Sequence, residues 1–223
     1  MVRRQFGTLN MPKRQRLALN VPARSRSKSP WRSSAPAITT MSKFQPSRGI
    51  EKKYIDTTVT SGWPATTAAT WSITMLNGVA QGQTDSTRIG QRTQMKSVQL
   101  RLTSPATVNQ PVRVRVVYDK STNLTAPVTG ELFENDVQNA MNQNSTAGRF
   151  ITLWDEILFV DNSNDAIHVE KFIKIDLPTV YGGTGATVGS IASGGLFLCL
   201  NHGGQSWASQ PLASYSRVRF TDQ

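Results

Sequence analysis

The sequence predicts an all-β domain that follows a disordered, strongly basic N-terminal arm. The charge is divided unevenly, because residues 1–53 contain 13 of the 25 lysines and arginines but only one of the 14 acidic residues. The rest of the chain is nearly neutral, and short runs of alternating apolar and polar side chains are separated there by turn-forming residues. Half-buried antiparallel strands have this period of two. The body is therefore predicted to be built from strands.

The basic arm is assigned to residues 1–48 and the folded domain to residues 49–223. The arm is rich in Arg, Lys, Ser and Pro and has no periodic apolar residues, so it cannot bury enough surface to offset its chain entropy. Its cations outnumber what a solubility tail requires, and we expect them to contact nucleic acid. The expected nucleic-acid-binding residues are Arg3, Arg4, Lys13, Arg14, Arg16, Arg24, Arg26, Lys28, Arg32, Lys43 and Arg48.

The first four strands are predicted at about residues 50–60, 70–76, 93–104 and 111–119. The third and fourth show the clearest alternation, and the fourth places Arg113 and Arg115 opposite its valines. A two-residue period of this kind marks a strand with one face in a core. The apolar positions are Ile55 and Val59; Trp71, Ile73 and Met75; Val98, Leu100 and Leu102; and Val112, Val114 and Val116.

The last four strands are predicted at about residues 150–161, 167–177, 196–200 and 214–221. The fifth is apolar on both faces, which predicts a strand covered on both sides, as at a subunit contact. Lys171 interrupts the pattern of the sixth. The apolar positions are Ile151, Leu153, Ile157 and Phe159 on one face of the fifth strand and Trp154, Leu158 and Val160 on the other; Ile167, Val169, Ile173 and Ile175; Leu196 to Leu200; and Val218 and Phe220.

Three long connections separate these strands. Residues 120–149 include Phe133, Val137, Ala140 and Met141 at helical spacing, which predicts a short helix. Residues 77–92 and the Gly- and Thr-rich residues 178–194 are predicted to be loops, the first of them flexible, and long loops on a β framework tend to contact partners. Eight strands with long crossovers favour an antiparallel jelly-roll sandwich, although strand count alone does not separate it from a closed barrel.

No residue pattern predicts catalysis, a cofactor or a metal site. The two histidines, His168 and His202, are far apart in the sequence, and Asp161–Asp165 lacks the glycine and final glutamate of a calcium loop. Cys199 lies in an apolar run, where a small buried hydrophobic residue is expected rather than a nucleophile. No apolar run is long enough for a membrane helix, and the N-terminus lacks the apolar region of a secretory signal. We therefore expect a protein that is not an enzyme and does not insert into a membrane.

Five segments, taken in their order and spacing, resemble a known family. They are Lys52–Tyr54 after the arm; Gly82 and Arg88–Gly90 leading into Ser97–Arg101; Arg113–Lys120; Arg149 and Phe150 with Leu153–Asp155; and Arg217–Asp222. Together they resemble the single-jelly-roll capsid proteins of small circular Rep-encoding single-stranded DNA viruses, the circovirus- and nanovirus-like group. Satellite-virus coats share much of this pattern.

The resemblance implies a virion protein that assembles with itself, as sixty copies, into an icosahedral shell around single-stranded DNA. It also implies assembly in the host nucleus and an arm that both binds the genome and engages a host import receptor, while the attachment receptor stays unidentified. Two basic clusters suit a nuclear-localisation signal, namely Lys13, Arg14 and Arg16 with Arg24, Arg26 and Lys28. The alternative is a non-capsid viral movement or nuclear shuttle protein with a β-sandwich domain.

The role of two arginine pairs on the predicted strands has two interpretations. Arg113 with Arg115, and Arg217 with Arg219, each place two cations on one face of a strand. One reading is a solvated face or an interface with salt bridges. The other is an interior lining that meets the nucleic acid.

Overall fold

The computed structural model describes residues 52–59, 71–104, 110–160, 167–202 and 213–223. All of them belong to one compact unit, Pro46–Gln223. The basic arm, with its predicted disorder, lies outside the described residues. Within the described ranges the chain forms nine strands, a single helical turn and two short 3₁₀ turns. The prediction of an all-β body is thus confirmed.

The strands lie where the alternating pattern predicts them, with one addition and one extension, because the sixth strand continues to Tyr181, four residues into the predicted 178–194 loop. β7 is a three-residue strand inside the predicted 178–194 loop, where no run of alternating residues marked it. The strands are β1 Lys53–Val59, β2 Ser72–Met75, β3 Arg92–Ser104, β4 Gln110–Asp119, β5 Phe150–Val160, β6 Ile167–Tyr181, β7 Ile191–Ser193, β8 Gly195–His202 and β9 Ala213–Asp222. The helical turn, α1, is Thr129–Leu132, and the 3₁₀ turns are Asn144–Thr146 and Val188–Ser190.

The strands form two antiparallel sheets. Sheet A has the order β1-β9-β3-β6-β7, and sheet B has the order β2-β8-β4-β5. Consecutive strands mostly belong to different sheets, so most connections cross from one sheet to the other. A bulge between Met95 and Ser97 shifts the register of β3 against both of its neighbours. A second bulge lies between Val116 and Val117 of β4.

The main core lies between the two sheets and uses the predicted apolar faces. Val98 and Leu100 of β3 are fully buried, as are Val114 and Val116 of β4. Val218 of β9 joins the same cluster. Each such side chain stabilises the fold by about 1.5–3 kcal/mol through the apolar surface it removes from water.

Within one chain, β8 is covered on both faces and β5 only in part. Leu198 of β8 points into the main core, and Cys199 belongs to a second apolar cluster on the other side of the sheet. β5 is an edge strand, and its Trp154 is buried while Ile157 is 37% exposed. Exposed Ile157 leaves the outer face of β5 partly uncovered, and its free edge adds unpaired backbone groups.

The helix expected from Phe133, Val137, Ala140 and Met141 does not form. The only α-helical turn of this described segment, α1, ends at Leu132, and Phe133 instead makes an isolated bridge to Asn142. Val137 and Met141 are 53% and 69% exposed. The helical spacing of the four apolar residues is misleading, because only Phe133 and Ala140 are buried against sheet B. Both lie on backbone that is not helical.

The 77–92 connection is anchored rather than loose. The side-chain amide of Asn77 donates to the carbonyl of Gly194 at 2.9 Å, and its oxygen accepts from the backbone N–H of Leu196 at 2.8 Å. Arg88 is fully buried, stacks on the ring of Tyr181 at 4.1 Å and donates to the carbonyl of Val79 at 3.1 Å. These contacts hold the loop against the chain that follows β6, which overturns the prediction of a flexible stretch.

Candidate nucleic-acid interface

The outer face of sheet A carries two neighbouring rows of polar and aromatic side chains. Strand register places Tyr54, Arg219, Ser97 and Lys174 in one row across β1, β9, β3 and β6. The next row contains Asp56, Arg217, Gln99 and Phe172. Because side chains alternate across a strand, these residues are the counterparts of the apolar ones that fill the core.

Three cations of this face are neutralised within the chain. Arg217 donates two hydrogen bonds to the carboxylate of Asp56, from Nε to Oδ1 and from Nη2 to Oδ2, both 2.7 Å long. These hydrogen bonds hold the pKa of Asp56 below its ordinary value. In the same way Arg101 pairs with Glu170 at 3.3 Å, and Lys96 pairs with Asp176 at 2.6 Å.

Three other cations have no carboxylate partner among the described residues. They are Lys52, Lys174 and Arg219, and the only side-chain bond of Arg219 there is a 3.4 Å contact with Gln99. Together they border a concavity of about 850 Å³, which we call the basic groove. Its lining residues are Lys52, Lys96, Ser97, Gln99, Phe172, Lys174, Ile175, Asp176, Arg219 and Thr221.

One aromatic ring in this region is exposed and unengaged. Phe172 is 59% exposed at the edge of the basic groove. Tyr54 and Tyr215 are also exposed on this face, but the guanidinium of Arg217 lies 4.6 Å from the ring of Tyr54, and the hydroxyl of Tyr215 donates to Asp56 at 2.5 Å. Phe172 has no comparable polar or cationic partner in the part of the chain that the structure describes.

The outer face of sheet B is covered by the segment 129–147, which we call the cover segment. Leu132, Phe133 and Ala140 of this segment are buried against Trp71, Val117, Phe197 and Cys199. The rings of Trp71 and Phe133 stack with their centroids 3.9 Å apart. This second apolar cluster closes sheet B from solvent where sheet A stays open.

Arg113 and Arg115 lie beneath the cover segment and share one carboxylate. Nε of each lies 2.8 Å from an oxygen of Asp155. Arg115 also donates to Ala140 O at 3.1 Å and to Asn142 Oδ1 at 2.8 Å. Burial acts to raise the pKa of Asp155, but the bonds and charges of the two arginines outweigh it, so this pKa lies below its ordinary value.

Arg113 and Arg115 thus form the salt bridges of the first reading, but they form them within the chain rather than on a solvated face, and the reading as a nucleic-acid lining is wrong. Arg115 is 2% exposed, and neither arginine is free to face a solvated surface or a nucleic acid. Their role within the chain is to fasten the cover segment to β4 and β5. Arg217 and Arg219 do lie on an exposed face, but only Arg219 lacks a carboxylate among the described residues.

The remaining candidates for chemistry are separate from each other. Cys199 is fully buried, and burial raises the pKa of its thiol to about 12, in keeping with the predicted buried hydrophobic residue. The exposed His168 contacts Thr103 Oγ1 through Nδ1 at 3.1 Å. Across the described ranges, no three His, Cys, Asp or Glu side chains converge as metal ligands would. Asp161–Asp165 lies outside these ranges.

No helix in the described residues is long and apolar enough to cross a membrane.

The eleven arm residues predicted to bind nucleic acid all lie outside the described residues, so the structure does not place them. No sequence pattern marked Lys52, Lys96, Phe172 and Lys174 as site residues, yet they line the basic groove. A signal for two of them was present, because Phe172 and Lys174 alternate with the apolar Ile173 and Ile175 of the sixth run. What the pattern could not show was that Arg219 lies two strands away in the same row.

Comparison with protein-family models and with curated protein sequences found no match for this chain.

Proposed function

We propose that this chain is the capsid subunit of a small icosahedral virus and that it packages a single-stranded genome through its basic arm. The fold component of this proposal is a jelly roll. The observation that carries it is the strand order, with β1-β9-β3-β6 in one sheet and β2-β8-β4-β5 in the other. Setting aside the short β7, this is eight antiparallel strands in two interleaved sheets, the arrangement that jelly-roll capsid proteins use.

The division of charge supports a division of labour. The first 53 residues have a net charge of +12, whereas the rest of the chain has a net charge of −1. A nearly neutral wall can pack against copies of itself, whereas a polycationic segment repels its copies until a polyanion neutralises it. Sixty copies of residues 1–53 would carry a net charge of about +720, enough for roughly 720 phosphates without sequence preference.

Partly covered β5 supports the assembly component. It is one of the two edge strands of sheet B, and an edge presents unpaired backbone groups that a second chain can satisfy. Val128, Val137 and Met141 of the neighbouring loop are more than half exposed. We propose that other copies of the chain cover these residues in the shell.

The decisive experiment compares particles made by the full-length chain and by a charge variant of the same length. In the variant, glutamine replaces the eleven arm cations from Arg3 to Arg48, so that length and β domain are unchanged. We expect the wild type to form uniform shells that contain nucleic acid. The variant should form shells whose ratio of absorbance at 260 and 280 nm is that of protein alone, or no shells.

The matched control changes Lys13, Lys28 and Lys43 to arginine, which keeps every charge and should keep packaging. If the glutamine variant packages as much nucleic acid as the wild type, the arm is not the genome binder. A wild-type chain that sediments as a small oligomer, with nucleic acid bound but without shells, would favour the movement or shuttle protein instead.

Nuclear entry is a separate part of the proposal and has its own test. A reporter protein fused to residues 1–48 should concentrate in nuclei, because Lys13, Arg14 and Arg16 with Arg24, Arg26 and Lys28 form two import-like clusters. Changing these six residues to glutamine should leave the reporter evenly distributed. Equal distribution of the unmodified fusion would contradict an import role.

A further inference from the structure

We propose that the basic groove of sheet A is a second nucleic-acid site, at which a base of a single strand stacks on Phe172 while neighbouring phosphates contact Lys174 and Arg219. This inference rests on the proposed function, since it requires the chain to meet nucleic acid. The groove site differs from binding by the arm because it lies on the ordered β domain and prefers unpaired bases.

The geometry places one aromatic ring and two cations within the length of a few nucleotides. Neither cation has a carboxylate partner among the described residues. Phe172 and Lys174 are two residues apart on β6 and face the same way, so their Cα atoms are about 7 Å apart. Arg219 and Lys174 both pair in register with Ser97 of the strand between them. Two interstrand steps separate them by about 10 Å.

The centre of the groove is low because Ser97 is small. The larger side chains of Arg219 and Lys174 stand on either side of it, and Ser97 itself is only 5% exposed. The bulge at Met95 and Ser97 brings Lys96 to the same end of the groove, where Asp176 neutralises it. The groove thus has cationic walls, an aromatic edge and enough space for a nucleotide.

The charges and the ring together select the occupant. Cations without carboxylates attract an anion, and an exposed ring suits a planar partner, so a single-stranded nucleic acid satisfies both at once. A duplex hides its bases within the stack. The chain's own arm, residues 1–48, is excluded as occupant because its net charge of +11 would be repelled by Lys174 and Arg219. A second copy of the same face would meet like charges.

The test is ultraviolet cross-linking of the full-length chain to a single-stranded oligonucleotide in which 5-bromodeoxyuridine replaces thymidine. Mass spectrometry then locates the cross-linked peptides. We expect one site in the arm and a second at Phe172. The same probe made as RNA should cross-link there too, because both polymers offer bases and phosphates, whereas a duplex of equal length should not.

Matched variants separate stacking from charge. Phe172→Leu keeps an apolar side chain but removes the ring, and should lower the yield at this site by about five-fold or more. Tyr215→Leu removes an exposed ring outside the groove and should leave the cross-link yield at Phe172 unchanged. Lys174→Glu combined with Arg219→Glu should abolish the groove cross-link, whereas Lys120→Glu, an exposed lysine at the end of β4, should not reduce it.

The outcomes distinguish this inference from the proposed function. If wild-type shells contain nucleic acid but every cross-link maps to the arm, the groove site is wrong and the capsid proposal stands. Equal cross-linking of the duplex at Phe172 would also overturn the groove site. A chain that neither binds the oligonucleotide nor assembles would overturn both.

Discussion

On the outer face of sheet A, Phe172 is 59% exposed, whereas on the outer face of sheet B, Phe133 of the cover segment is 1% exposed. The arginines differ in the same way, because among the described residues the side chain of Arg219 bonds only to Gln99, while Arg115 is buried against Asp155. The strands of both sheets have the same alternating pattern, with arginines opposite valines in β4 and β9 alike. The difference is made by the 129–147 segment, which lies over one sheet and leaves the other open.

This contrast teaches that a polar residue opposite a core face has two possible fates. It can remain a surface group available to a partner, or it can become a buried fastening point for a loop. A buried arginine needs partners for its charge and its donors, because burying an unpaired charge costs several kcal/mol. Arg88 uses backbone carbonyls and the ring of Tyr181, whereas Arg115 uses a carboxylate. Asp155 supplies that charge to Arg113 and Arg115, and this is why neither is available for nucleic acid.

The largest expected effect concerns Cys199, which lies beneath the cover segment. With its thiol pKa raised to about 12, the thiolate fraction at pH 8.5 should be lower than that of a free cysteine by about a thousandfold. Burial should slow the reaction with a thiol reagent further. Stopped-flow labelling of native and urea-unfolded protein measures the ratio, and equal rates would mean that the cover segment does not close over sheet B.

The next largest effect is expected from removing one aromatic ring on each sheet, Phe133 over sheet B and Phe172 on sheet A. Phe133→Ala should lower the free energy of unfolding by about 3–5 kcal/mol, because it leaves a cavity against Trp71. Phe172→Ala should change it by less than about 0.5 kcal/mol, since the ring is exposed. Urea unfolding monitored by circular dichroism provides both values. Similar losses from the two substitutions would contradict the contrast between the two faces.

The arginines allow the same comparison for charge. Arg115→Met leaves Asp155 with one arginine in place of two and should cost about 3 kcal/mol in unfolding free energy, the lower end of values for broken buried pairs. Arg217→Met removes a surface ion pair with Asp56, and its unfolding midpoint should match that of the wild type within error. A larger loss from Arg217→Met would show that the exposed pair carries more of the stability than its position indicates.

The smallest effect is expected in acid. The pKa of Asp155 lies below its ordinary value of 3.8 in the folded chain, so its ion pairs stabilise the fold above about pH 4 and are lost as the pH falls further. The gap in unfolding free energy between wild type and Asp155→Asn should therefore be constant from pH 7 to 5 and shrink below pH 4. A gap that does not change down to pH 2.5 would assign the stabilisation to something other than the charge of Asp155.

Local pattern was enough to predict eight of the nine strands of the described residues and most of the side chains that face the core. Val98, Leu100 and Leu102 of β3, for example, follow from a period of two that the pleated backbone imposes on every strand. Composition alone likewise separates the basic arm from the neutral body. These features can be read from neighbouring residues, because each depends on local geometry or on a count of charges.

Only the tertiary structure decided the order of the strands, the cover over sheet B and the partners of the arginines. Asp155 lies 42 residues from Arg113 in the sequence, and Asn77 lies 117 residues from its acceptor in Gly194. The basic groove likewise joins Arg219 of β9 to Lys174 of β6 across the strand between them. Such contacts depend on how distant segments pack, and a local period has no information about which side chain from elsewhere in the chain will meet it.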